Sequence, residues 1–187
     1  MRKTRAESVL PVWTSLVASY GSAKTLAAAD EHELAAHLRP LGLHRIRARA
    51  LVALGRALAA WDGEPPADPE RLARLPHVGR YAANAFLSVT GKADTVAVDA
   101  NVVRVLNRAF GLPIPTEVHK ADDLYAFLRT IVPPGRARQV NLALVDLGAL
   151  VCRPSTPRCA ECPCRSFCET GRKTASVRVP TRRARTR

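Results

Sequence analysis

No long apolar run occurs in the 187-residue sequence. A membrane-spanning helix needs about 20 consecutive apolar residues, and no stretch approaches that length. The opening residues, MRKTRAESVLPVW, are basic but lack the apolar block of a secretory signal. These two absences predict a cytoplasmic chain with no membrane partner. Strand alternation is also missing. The one β-branched cluster, Thr95-Val96-Ala97-Val98, is too short for a sheet, and no segment repeats. Acid is in short supply, with 16 Asp and Glu against 29 Lys and Arg and a net charge of +13. Such an excess says nothing about fold. It favours polyanionic partners, because basic side chains release the counterions condensed on phosphates; ordinary solvated arginines would give the same balance. Part of the excess sits between Arg172 and Arg187, where seven basic residues meet no acid. That composition predicts a disordered basic tail over residues 171–187, able to hold a polyanion loosely but not to read it.

What is present is helical periodicity. Hydrophobic residues make up 47% of the chain, enough for one compact domain or two small ones sharing a core. Val9, Val12, Trp13, Leu16 and Val17 form one apolar stripe, and Leu34, Leu38 and Leu41 form another. Asp30 three residues before Glu33 reads as a capping box. Pro40 and Gly42 then interrupt the chain, and a helix follows from about Arg45 to Trp61. Asp68-Pro69-Glu70 supplies a cap, a first-turn proline and a first-turn acid. Further helices are expected near 69–74, 80–90, 100–110, 117–131 and 139–150. The fold class is therefore all-α.

Three groups of residues bear on function. Leu75-Pro76-His77-Val78-Gly79-Arg80-Tyr81 joins two helices through a tight turn. Gly79 permits a backbone conformation that a Cβ resists and lets another molecule approach closely. Amides at the start of the next helix are a ready site for a phosphate oxygen, although such a turn also serves as a plain helix connection. Asp99, in VAVDANVVRV, suits a helix N-cap. Five cysteines fall between Cys152 and Cys168, and without Cys164 they read C-x6-C-x2-C-x5-C. Four thiolates at Cys152, Cys159, Cys162 and Cys168 suit an iron–sulfur cluster or a zinc ion; two disulfides are the poorer alternative in a chain without a secretory signal.

LPHVGRYAANA followed by VDANVVRVLNR, together with the cysteine spacing, resembles the helix-hairpin-helix (HhH-GPD) DNA glycosylase superfamily that includes endonuclease III and the adenine glycosylases. The resemblance runs from about residue 9 to residue 170. It implies a two-lobed helix-hairpin-helix fold with a C-terminal iron–sulfur loop. Residues 24–134 would form a helical barrel domain, and residues 1–23 plus 135–170 the cluster lobe, its N-terminal part shortened, since relatives carry a further segment ahead of MRKTRAESV. It implies double-stranded DNA as partner, a monomer acting on the nucleoid, and phosphate contacts from His77, Val78, Gly79 and Arg80. Here His77 replaces the first glycine of the usual LPGVG, and histidine tolerates positive φ better than branched residues do.

By the same resemblance Asp99 is the catalytic acid, and a [4Fe–4S] cluster binds Cys152, Cys159, Cys162 and Cys168. Tyr81 stands where the members that also cut the strand carry a Schiff-base lysine, so a monofunctional enzyme is implied. A tyrosine there looks most like the G/T-mismatch thymine glycosylases, in which its ring would stack on a flipped pyrimidine; a ring packed on its own helix is the plainer reading. NLALVDLGAL, from Asn141 to Leu150, resembles the adenine glycosylases too, which makes adenine the alternative substrate. A DNA-binding iron–sulfur protein without catalysis is the third reading.

Overall fold

The computed structural model describes residues 6–61, 64–113 and 122–175, and among them all regular structure is helical. They fall into two compact units, divided in sequence between Ala83 and Asn84.

Unit 1 holds α1 (Val9–Ser19), α2 (Ala23–Ala27), α3 (Glu31–Leu38), α4 (His44–Ala59), α5 (Pro69–Ala73) and the first residues of α6 (Arg80–Thr90). Local side chains start these helices by satisfying first-turn amides, each cap contributing about 1 kcal/mol. Asp30 accepts from the amides of His32 and Glu33, both at 2.9 Å. Glu33 does not return the reciprocal bond of a full capping box. Asp68 accepts from Arg71 N at 2.6 Å. The short α2 was not expected; its reciprocal Ser22–Thr25 box, with both bonds at 3.1 Å, is what starts it.

Leu34, Leu38, Ala48 and Val52 are buried at the centre of this unit, with Val12 and Ala35 beside them. Helix α4 comes so close to α2 that a Cβ on Gly55 would lie 2.7 Å from Ala27 N. The expected stripe on α1 divides in two. Val12 is buried and Val9 and Leu16 are partly so, whereas Trp13 and Val17 are 61% and 47% exposed. One residue further on is about 100° further round a helix, which carries Trp13 and Val17 onto the outer side with Leu10.

Unit 2 continues α6 and adds α7 (Ala100–Phe110), α8 (Asp122–Ile131), α9 (Ala137–Asp146) and α10 (Glu169–Ala175). The part of the expected 117–131 helix before residue 122 lies outside the described residues. Helix α9 ends in a widened π turn over Leu147–Val151. Helix α10 runs past residue 171, where the sequence reading begins the tail; residues 176–187 lie outside the described residues. Val96, Val98, Val102, Val103, Leu106, Leu124 and Leu128 form the core.

Val96 to Val98 are buried and Thr95 partly so, with no strand beside them among the described residues, so their backbone needs other partners. Asn141 on α9 supplies them. Its Oδ1 accepts from Ala97 N at 3.0 Å, and its Nδ2 donates to Thr95 O at 2.9 Å and to Ser88 Oγ at 2.7 Å. Asp94 accepts from the amides of Gly135 at 2.5 Å and Ala137 at 2.9 Å, fixing the start of α9.

Candidate active site and cysteine loop

In the hairpin of unit 1, Val78 N donates to Leu75 O at 3.1 Å and Ala83 N to Gly79 O at 3.0 Å, so α6 begins directly after the turn. His77, at φ 60°, takes the left-handed backbone that the family's glycine would take. Gly79 corrects the sequence reading. It is not at positive φ, and nothing lies within 4 Å of where its Cβ would be. Its value is therefore close approach from outside and not backbone freedom. His77, Gly79 and Arg80 are exposed and Val78 is half-buried. The hairpin leads directly into the N-terminus of α6, and helix N-termini are where phosphate oxygens bind. Tyr81 lies in that first turn and is 37% exposed.

In unit 2, Asp99 caps α7. Its Oδ1 accepts from Val102 N at 2.8 Å and its Oδ2 from Asn101 Nδ2 at 2.9 Å. These bonds fix the plane of a half-buried carboxylate. An ionised carboxylate offers about four lone-pair sites, so each oxygen can still face a water or a developing positive charge.

The support does not stop there. Asn101 Oδ1 accepts from Arg104 Nη2 at 2.9 Å; the same nitrogen donates to Gly148 O at 2.7 Å, and Arg104 Nε donates to Cys152 O at 2.9 Å. A continuous chain of bonds thus joins Asp99 to the backbone around Cys152. One turn later, Arg108 donates to Arg153 O at 2.6 Å, Pro154 O at 2.7 Å and Cys152 Sγ at 3.4 Å. The sequence reading missed Asn101, Arg104 and Arg108. Their i, i+3 and i+7 spacing on α7 was the available signal.

Gly148 makes this contact possible, because a Cβ there would sit 2.7 Å from Asn101 Cβ. Gly148→Ala is expected to destabilise the fold by about 1–3 kcal/mol through overpacking and to slow any reaction that depends on the held Asp99 carboxylate by displacing Asn101. Thermal unfolding and single-turnover kinetics would measure the two effects; a variant matching wild type in both would show that the contact yields freely.

All five cysteines carry free thiols and are half-buried. Cys152, Cys159, Cys162 and Cys168 line one cavity together with Arg108, Arg158 and Arg165. Cys164 is absent from that cavity and lines an adjacent apolar one together with Cys152, Cys162 and Cys168. Burial, and then the neighbouring Cys162, push its thiol above the usual range. Cys168 Sγ accepts from Gly171 N at 3.3 Å and donates to Arg108 O at 3.3 Å, so two of the four sulfurs accept N–H donors. No three His, Cys, Asp or Glu side chains among the described residues are placed to hold a single metal ion. Four cysteine thiols around one cavity are a donor set that suits an iron–sulfur cluster or a zinc ion.

Residues 2–131 match the family model described as HhH-GPD superfamily base excision DNA repair protein. The chain is 33% identical over 172 residues to the thymine-DNA glycosylase of Aeropyrum pernix, covering 90% of this chain and 77% of that one. It is 33% identical over 168 residues to the thymine/uracil-DNA glycosylase of Pyrobaculum aerophilum, covering 87% and 73%. Among solved structures, a thermostable thymine-DNA glycosylase superposes with a TM-score of 0.84 at 29% identity, covering 92% of this chain and 80% of that one. With hairpin, capping acid and cysteine loop all in place, the chain belongs to the HhH-GPD superfamily of base excision DNA repair proteins.

Proposed function

We propose that this protein is a monofunctional DNA glycosylase that hydrolyses the N-glycosidic bond of thymine or uracil mispaired with guanine in double-stranded DNA. The observation that carries this reading is Asp99, a half-buried carboxylate whose two oxygens are each held by a donor on α7. The relatives named for thymine and uracil support the choice of base.

The chemistry follows from the residues. A base inside a duplex is out of reach, so the nucleotide must first leave the stack, at a cost lower for a mispaired base. The hairpin holds the flanking backbone: Gly79 allows close approach, and Val78, Arg80 and the α6 amides face the phosphate with His77 beside them. Breaking the base–sugar bond builds positive charge on the sugar, as in other glycoside hydrolyses. Asp99 stabilises that charge and orients the attacking water. Tyr81 has no amine and forms no Schiff base; its ring offers a stacking face to an extruded pyrimidine. Cys152, Cys159, Cys162 and Cys168 would hold a [4Fe–4S] cluster, which ties the loop together when bound. Arg108 donates to Cys152 Sγ and Gly171 N to Cys168 Sγ, and the protein acts as a monomer.

The test uses purified, brown protein on G:T and G:U duplexes, with A:8-oxoguanine as comparison. Base release is expected from the first two, with strand breaks only after alkali and no protein–DNA adduct on borohydride treatment. Breaks without alkali would overturn the monofunctional assignment. Release confined to A:8-oxoguanine would overturn the choice of base.

A further inference from the structure

Unit 1 carries a cationic cleft that the proposed function leaves unused. It lies between α3 and the start of α4, where Arg39, His44, Arg45 and Arg49 stand around a floor formed by Ala35 and Ala36, enclosing about 200 Å³. A water occupies about 30 Å³ of the liquid, so the space admits a group the size of a phosphate together with its hydration. The alanines keep the floor low, so an incoming group can sit between the arginines and not merely above them.

The charges are poorly matched within the protein. Glu31 is the one acid lining the cleft, and it stands 3.6 Å from Arg49 Nε. The exposed side chains of Arg39 and Arg45 have no partner among the described residues. Arg45 and Arg49 are one turn apart, a like-charge spacing that costs a helix a few tenths of a kcal/mol. One exposed ion pair offsets little of this charge, so its use lies with something that binds it.

The row continues along α4. Arg45, Arg49 and the exposed Arg56 lie within about 40° of one another around the helix and span about 16 Å of its axis. A row of that length exceeds any single small anion. It fits a chain of phosphates, and duplex DNA presents one negative charge per about 1.7 Å of axis.

We propose that the α3–α4 cleft and the arginine row beyond it grip the phosphate backbone of duplex DNA, as a second anchor in addition to the hairpin. The proposal rests on the glycosylase reading only in naming duplex DNA as the polyanion. Contacts of this kind add affinity and set orientation without selecting a sequence.

The test measures binding of the full chain to a duplex with one tetrahydrofuran abasic analogue opposite guanine, by fluorescence anisotropy across a range of salt concentrations. The variants are Arg39→Gln/Arg45→Gln/Arg49→Gln and a control with the same charge loss in unit 2, Arg129→Gln/Arg136→Gln/Arg138→Gln. Each lost phosphate contact lowers the slope of log K against log salt by about 0.9, so the cleft variant should lose about 2 to 3 from the slope and at least about tenfold in affinity near 100 mM salt. The control should keep the wild-type slope, and both variants should melt with wild type, since the substituted side chains are exposed. An unchanged slope in the cleft variant overturns the proposal, as does an equal loss in the control, which would assign the effect to overall charge. A wild type that binds no duplex sinks the glycosylase reading and the cleft together, whereas wild-type binding with an unaltered cleft variant sinks the cleft alone.

Discussion

Asp99→Asn is expected to abolish most base release while leaving the protein folded and able to bind DNA. Single-turnover rates on a G:T duplex should fall by about 10²- to 10⁴-fold, the range expected when a positioned acid–base or charge-stabilising group is removed. Asparagine caps helices about as well as aspartate, so the bond from Val102 N to the side-chain oxygen survives. The other position then carries an amino group facing Asn101 Nδ2, a donor against a donor. Asn101 cannot simply turn over, because its Oδ1 already accepts from Arg104. The mismatch costs about 1 kcal/mol, a small effect beside the loss of rate. Alkali-revealed strand breaks, anisotropy on an abasic duplex and thermal melting separate the three quantities. If the variant cuts within threefold of wild type, Asp99 is a helix cap and nothing more.

Arg104→Leu strikes from the opposite end of the same chain of bonds. The guanidinium satisfies Cys152 O, Gly148 O and Asn101 Oδ1 from a partly buried position. Removing it leaves three acceptors without their charged donor, for a loss of about 3–5 kcal/mol. At about 2–4 °C per kcal/mol for a chain of this size, the melting temperature should drop by about 10 °C. Arg104→Lys keeps the charge but not the fork and should fall between the two. Destabilisation alone would not change the rate of folded protein, so the decisive reading is taken well below the melting temperature. There Arg104→Leu should slow base release by about tenfold, Asn101→Leu should do likewise, and the double variant should be no slower than either, because neighbours in one network do not add. Independent, multiplicative losses would mean that the two side chains act separately and that Arg104 is only a clamp on the loop. Arg104 is a positioning residue in this account, since it reaches the reacting atoms only through Asn101 and Asp99.

The parts of the site that were legible in the sequence are those written in local chemistry. Asp68 before a proline and Asp99 before Ala-Asn-Val announce helix starts because an N-cap bonds to amides two or three residues away. The four thiols that the cysteine spacing picks out line one cavity, and Cys164 shares a second with three of them. His77 was legible as the residue that would have to accept positive φ. Gly79 was misread because a glycine in a turn suggests backbone freedom, while here its lack of a side chain matters only to whatever approaches from outside. The five-residue α2 offers too few turns for a periodic pattern to show. Beyond the i, i+3 and i+7 spacing of Asn101, Arg104 and Arg108 on α7, the connections that shape Asp99 reach too far along the chain to be read from it. Arg104 meets the Cys152 loop across 44 to 48 positions, and Asn141 meets Ser88 across 53. An arginine on a helix and an asparagine in an apolar run carry no local mark of the carbonyl each will find.

The asparagine has a consequence for the order in which the molecule assembles. Most helical proteins form through contacts close in sequence, which close small loops and form quickly. Helix α7 and its cap at Asp99 can form that way. The extended segment leading into Asp99 cannot, because Ala97 N and Thr95 O find their partner only on α9, 44 and 46 positions along the chain. A ribosome that has delivered residue 110 has made Asp99 and its helix, with the segment before it tied to α6 through Thr95 Oγ1 on Asn84 O and Ala93 N on Leu87 O. When residue 141 emerges and docks, Ala97 N and Thr95 O gain their partner, which ties completion of the segment to arrival of the helix that leads into the cysteine loop.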